Sequence, residues 1–200
     1  MIDYRSDNWR LFMAHRWGLA CGPTCEIHAP NNPVENDPWN LQRFIEAQDA
    51  DDTYERAMAE LKAGRKETHW MWFIFPQLWG ISDKPSRATT RFSLASPAEV
   101  RAYLENDTLR RRLDDVALQV WSFHDRDITE VFGTVDAEKL HASMTLFHAV
   151  GGRFTEIYHG AIYNCFSGPH QRTLEVLRDH FPHERENYAS FPREENSWPN

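Results

Sequence analysis

The sequence predicts an all-α fold: one compact multi-helix domain with an irregular N-terminal extension and a loose charged tail. Three observations predict it. Apolar residues recur at three- and four-residue spacing through most of the chain, helix-capping signals precede several of those runs, and the one short bulky apolar run has no obvious partner strand. The expected boundaries are an extension over residues 1–36, a helical domain over 37–182 and a tail over 183–200.

Residues 1–36 carry Pro23, Pro30, Asn31, Asn32 and Pro33, which break any helix begun by residues 11–17. Trp9, Phe12 and Trp17 suit an arm lying across the domain. Asp37-Pro38 then supplies an N-cap and a proline at the first helical position, with Leu41, Phe44, Ile45 and Gln48 behind it. Asp51 and Asp52 are expected to cap a second helix carrying Tyr54, Ala57, Met58 and Leu61, and Gly64 is its natural stop.

Residues 64–77 come next and hold Trp70, Trp72, Phe73 and Phe75 beside His69, Arg65 and Lys66, closed by Pro76-Gln77. The run from His69 to Phe75 is short and continuous, so periodicity does not separate helix from strand, and a buried helical turn is the better fit. Ser96-Pro97-Ala98-Glu99 is a capping-box pattern, and Val100, Tyr103 and Leu104 follow. Asp107 is expected to cap a helix with the stripe Leu109, Leu113, Val116, Ala117, Val120 and Trp121. A short helix over 127–132 closes at Gly133. Asp136 opens the next, with Leu140, Met144 and Phe147 inward and an end near Gly151-Gly152. Phe154, Ile157, Tyr158 and Ile162 form a further face, broken by Ser167-Gly168-Pro169, and Leu174, Val176, Leu177 and Phe181 make a last helix that stops at Pro182. Beyond it the apolar period is lost.

Composition narrows the function. A chain of 200 residues with 41% hydrophobic and 13% aromatic content builds a sizeable core. A net charge of −8 argues against non-specific binding to nucleic acid or anionic lipid. No apolar stretch approaches the roughly 20 residues of a membrane span, and the N-terminus has no secretory pattern, so a cytoplasmic protein is expected. Cys21, Cys25 and Cys165 do not form a disulfide framework. His15, Cys21, Cys25 and His28 have donor chemistry that suits tetrahedral zinc, but the spacing lacks the paired C-x2-C pattern, and reduced thiols are the simpler reading. No cofactor is implied.

The helical blocks resemble an uncharacterised bacterial family, the domain of unknown function 1810. The resemblance rests on Leu41-Gln-Arg-Phe44, Gly64-x-Lys66-x-x-His69-Trp70-Met71-Trp72, Phe75-Pro76-Gln77 with Gly80, and Lys139-x-x-x-Ser143-Met144-Thr145-Leu146-Phe147. It covers about residues 40–178 and implies a compact helical fold and no established activity. Family members are sometimes labelled calpastatin, a protease inhibitor; such inhibition belongs to disordered repeats, whereas this chain reads as a tryptophan-rich globule. Ala142 stands where the family pattern has a second serine, and His170 where it often has an acidic residue before Thr173.

Two constellations carry candidate chemistry. His69 is a tentative acid/base, flanked by Trp70 and preceded by Lys66; the competing role is a core histidine bonded to backbone. Trp70 or Trp72 would offer a stacking wall and Gln77 a bidentate amide, although alternate positions face different ways and most of these aromatics should be core. Lys139 and Ser143 lie one turn apart on a helix face, where a cation near a helix start suits an anion better than it suits a serine nucleophile. The expected function is a small-molecule site for an anionic or nucleotide-like ligand, lined by Lys66, His69, Trp70, Trp72, Gln77, Lys139 and Ser143. The alternative is a non-catalytic structural or interaction domain.

Overall fold

The structure, a computed structural model, describes residues 37–152 and 155–187. The expected N-terminal arm and the zinc candidates Cys21, Cys25 and His28 fall outside the described residues. Within them the fold is all-α, and the one β-type pairing is an isolated parallel bridge between Leu78 and Leu94.

The helices are α1 (Gln42–Asp49), α2 (Thr53–Lys62), α3 (Met71–Ile74), α4 (Arg87–Phe92), α5 (Pro97–Glu105), α6 (Asp107–Trp121), α7 (Ile128–Phe132), α8 (Thr134–Val150), α9 (Glu156–Cys165) and α10 (Gln171–His180). Short 3-10 turns cover Ala50–Asp52 and Pro182–Asn187. The second of these continues past the expected domain end at 182, and an Arg101–Glu184 ion pair ties it to α5.

Helix α8 is the axis of the domain. Every residue from Ala142 to Val150 is buried, as expected of a helix that is apolar on all sides. Around it pack α3, α5, α7, α9 and α10, while α6 closes against α2, α5 and α9. A chain of aromatic contacts crosses this core: Phe44 of α1 meets Tyr103 of α5 at 5.2 Å, Tyr103 meets Phe147 of α8 at 5.3 Å, and Phe147 meets Tyr158 of α9 at 5.8 Å. The Tyr158 hydroxyl donates to Asp114 of α6 at 2.7 Å, so the far end of the chain is hydrogen-bonded rather than stranded.

The helix ends refine the expectations from sequence. Helix α1 starts at Gln42, because Asn40 takes a left-handed conformation (φ 48°) and breaks the turn begun at Pro38. Asp37 still serves that end, its carboxylate accepting from the Gln42 amide at 2.9 Å. Asp51 and Asp52 are both left-handed (φ 52°), and neither side chain caps α2. At the other end of α2, Gly64 (φ 70°) makes the Schellman pair, with Gly64 N–H bonded to Leu61 O at 2.8 Å and Arg65 N–H to Glu60 O at 3.1 Å. Asn106, one residue before Asp107, caps α6 by accepting from Leu109 N–H. Helix α8 begins at Thr134, two residues before Asp136. Helix α4 has no counterpart in the sequence reading; Ser86 caps it.

Ser96 caps α5 as expected, but the Glu99 carboxylate does not turn back to the cap. It is fully buried, accepts from Ala95 N–H at 2.6 Å, and pairs with the Arg43 guanidinium of α1 at 2.6 Å. Arg43, itself 5% exposed, spends its remaining donors on the carbonyls of Trp39, Asn40, Arg91 and Ser93 and lies 4.1 Å over the Phe44 ring. One guanidinium thus closes the backbone on both sides of the gap between α1 and α5. Glu99→Ala leaves that cation buried without its carboxylate and is expected to cost about 3–5 kcal/mol. Urea unfolding measures it, and a loss below about 1 kcal/mol would contradict this account of the pair.

Candidate functional site

The loop after α2 is shaped by one carboxylate. Glu60 projects from the last turns of α2 and accepts from Glu67 N–H at 2.8 Å, Thr68 N–H at 3.1 Å, the Thr68 hydroxyl, and the Trp70 indole N–H at 2.8 Å. Burial pushes its carboxyl up, but these hydrogen bonds outweigh that and hold it below the usual value. Trp70 is therefore fastened into the core with no exposed surface, tilted against Phe75 and edge-to-face with Phe132, both at 6.2 Å. The single turn of α3 follows at once, burying Met71 and Ile74 and leaving Trp72 half-buried.

The chain then crosses α8 at Pro76-Gln77. Ser143, fully buried, donates its hydroxyl to the Pro76 carbonyl at 2.8 Å. Gln77 donates its side-chain amide to the Lys139 carbonyl at 3.1 Å, and its own carbonyl accepts from Leu94 N–H at 2.8 Å. The two blocks singled out in sequence are therefore in direct contact.

At their outer edge three charges meet. Asp136 binds Lys66 Nζ through one carboxylate oxygen and Lys139 Nζ through the other, both at 2.7 Å. Burial raises the Asp136 carboxyl, yet the hydrogen bonds and charges of Lys139 and Lys66 bring it below the usual range, so it is ionised at neutral pH. Lys66 also donates to Thr68 O at 2.8 Å and lies 5.0 Å from the Trp70 ring centre; Lys139 lies 4.9 Å from that of Trp72. The ammonium-bearing side chain of Lys66 is 7% exposed and that of Lys139 is 24%, so Lys139 is the one a solute can reach.

Lys139 stands at the mouth of a shallow cleft lined by Met71, Trp72, Phe75, Gln77, Thr89, Phe92 and Ser93. Its enclosed volume is about 10 Å³, the room of about one water molecule. Its hydroxyls are already engaged: Ser93 donates to Thr89 O, and the Thr89 hydroxyl is bonded to that of Ser86. The polar side chains left at the cleft are thus Lys139 and the half-buried Gln77 carboxamide.

The candidate residues divide by placement. Lys66, Gln77 and Lys139 gather with Trp72 around Asp136. Trp70 and Ser143 sit behind that cluster, and His69 is exposed on the outer side of the loop. Asp136, Glu60 and Thr89 were not singled out for chemistry by sequence. The signal for Asp136 was present, since Asp136 and Lys139 stand three apart at a helix start, the spacing of a local ion pair. Among the described residues no group of three or more His, Cys, Asp or Glu side chains is arranged to hold a metal ion.

Glu60→Gln places an amide where four donors converge and is expected to destabilise the protein by about 1–3 kcal/mol. The native carboxyl lies below its usual 4.5, so its contribution is complete above that pH and is lost as pH falls through the folded value. Urea midpoints of both proteins from pH 7 to 3 test this; curves that fail to converge in acid would refute it.

A family model described as "Protein of unknown function (DUF1810)" matches residues 38–177. The chain is also similar to a solved structure, the conserved hypothetical protein Rv1873 from Mycobacterium tuberculosis, at 37% identity and a TM-score of 0.64; the match covers 70% of this chain and 97% of that one. No curated protein matches the sequence.

Proposed function

Because the chain belongs to the DUF1810 family, whose function is not known, we propose from its own geometry that it binds a small anionic group at the Lys139 edge of the α3–α8 cleft. The observation that carries this reading is the sharing of one carboxylate by two lysines. Asp136 neutralises one of the two charges, and the surplus is presented by the more exposed partner, in a protein whose net charge is otherwise strongly negative. A cation held in place by a carboxylate and a tryptophan face is pre-organised for an anion, which lowers the ordering cost of binding.

Size restricts the ligand. Sites that swallow a drug-sized molecule usually enclose about 300–1,000 Å³, far above the space here. A carboxylate or phosphate group therefore occupies the mouth, and any larger nucleotide-like body lies outside it, over Trp72. In this reading Lys139 makes the direct contact, Asp136 holds its ammonium, Lys66 holds the other oxygen of Asp136, and Gln77 fixes the Lys139 backbone. Trp70 and Ser143 hold the supporting loop. His69 remains the acid/base candidate for a bound group that extends along the outer side of the loop.

The second reading, an interaction domain without catalysis, is favoured by one observation. Leu118 and Trp121, one turn apart on α6, are 46% and 42% exposed. No helix of the described residues is long and apolar enough to cross a membrane, so this patch is weighed as a protein-facing surface.

Thermal shift against inorganic phosphate and small carboxylates, at constant ionic strength, distinguishes the two. The wild type is expected to gain melting temperature with ligand. Lys139→Met should lose that gain. An equal response in wild type and Lys139→Met would sink the anion reading. Exposed His69→Ala is expected to change stability by no more than about 0.5 kcal/mol, so any loss of ligand response in it reports binding.

A further inference from the structure

Helix α8 carries His141 and His148, two turns apart and therefore on nearly the same side. Each faces a histidine of a neighbouring element. His141 meets His170, at the N-terminus of α10, with ring centres 5.3 Å apart, and His148 meets His159 of α9 at 5.1 Å. Both His148 and His170 are 8% exposed.

The first pair is built into the packing of α10. His141 stacks flat on Phe166 at 4.1 Å and its Nε2 is 2.6 Å from the Gly168 carbonyl, so that nitrogen donates. His170 bonds to α8 through its backbone amide, which donates to the Thr145 hydroxyl at 2.9 Å. Its Nδ1 accepts from Thr173 N–H at 3.2 Å, the capping bond of α10. An accepting Nδ1 carries no proton, so Nε2–H is left to donate to Glu138 at 3.0 Å. The cap on α10 therefore exists only with a neutral imidazole, and Thr173 is fixed to α8 from the same turn through its hydroxyl and the Ala142 carbonyl.

The second pair joins α8 to α9, with His148 hydrogen-bonded to the Thr155 backbone and His159 against the Tyr163 ring at 4.4 Å. Among the described residues, the titratable and charged groups shown facing the two pairs are Glu138 and the histidines themselves, with the Tyr163 phenol beside His159. Burial holds His141 and His148 below the usual histidine value of 6.5, and the facing histidine lowers each further; the Gly168 carbonyl and Glu138 partly oppose this at His141, the Thr155 backbone at His148.

We propose that the two histidine pairs form an acid-responsive seam: protonation of His141 and His148 sets a buried positive charge against the facing imidazole at two points along α8, so that α9 and α10 loosen from α8 while the rest of the domain stays packed. The direction follows from linkage. A histidine whose folded value is depressed binds fewer protons folded than open, so the seam is fully closed above about pH 6.5 and weakens as pH falls through the folded values. Glu138 is 70% exposed and offers the first pair little compensation.

Amide hydrogen exchange of the full chain at pH 7.5 and pH 5.5, corrected for intrinsic exchange, tests the seam. Peptides from α9 and α10 should lose protection relative to peptides from α1 and α2. His159→Asn changes an exposed side chain and should weaken the acid response in α9 while leaving that of α10. His141→Gln should do the converse. A wild-type loss spread evenly over all helices, or no loss, overturns the proposal; so does an unchanged α9 response in His159→Asn, which stands even if His141→Gln fails to fold.

Discussion

The buried pair of Arg43 and Glu99 is the constraint on which the rest of the arrangement depends. Two charges taken out of water are tolerable only when every donor and acceptor is met, and here they nearly all are. Five backbone carbonyl or amide contacts converge on the pair, from the turn before α1, from the end of α4 and from the start of α5. These segments bury Leu41, Phe92, Leu94 and Ala95, and the ion pair fixes the backbone that carries them. The bridge between Leu78 and Leu94 lies in the same segment, and through it the placement of Arg91 and Ser93 is passed to Gln77.

Glu60 repeats the device at the other side of the domain. A Schellman turn ends α2 and leaves Glu60 one helical turn below the loop, where its oxygens collect four donors in the space of a few residues. With Arg65 N–H on Glu60 O and Lys66 N–H on Val131 O, the four amides from 65 to 68 are bonded without a strand or a long helix. That allows Trp70 to be delivered into the core and Trp72 to its edge within one turn of α3. The aromatic density of this stretch is thus a consequence of anchoring: a carboxylate fixes the backbone, and the large rings fill the space between α2, α7 and α8.

Much of this was legible in the sequence. The helices with sustained periodicity, α2, α6 and α10, lie where the apolar stripes place them, and Gly64, Ser96 and Asp127 act at the ends expected of them. Helix α4 was invisible because Arg-Ala-Thr-Thr-Arg-Phe is too short to show a period. The start of α1 was displaced because Asp37-Pro38 signals a helix but does not reveal a left-handed Asn40. Charges were the larger omission. Arg43, Glu60 and Glu99 each occupy a position in a helical pattern that a solvated residue would fill equally well. Their burial is set by partners up to 56 residues away, which spacing along the chain does not encode. His170 illustrates the reverse: where the resemblance implies an acidic residue, a ring nitrogen caps α10.

The same logic separates core from candidate site in the Trp70–Gln77 block. Trp70, Ser143 and the Gln77 amide each have a partner inside the protein, and a group already satisfied gains little from a ligand. Lys66 is likewise nearly sealed. Lys139 differs in degree: its charge is shared with Lys66 across a single carboxylate, and its ammonium retains access to water. A second carboxylate beside Asp136 would have completed two ordinary ion pairs and left a closed helix–loop junction. With only one, the junction holds one positive charge more than packing requires, and the balance can be completed by an anion from solution. That unmatched charge, more than the concentration of tryptophans around it, is what supports the proposed anion site at this junction.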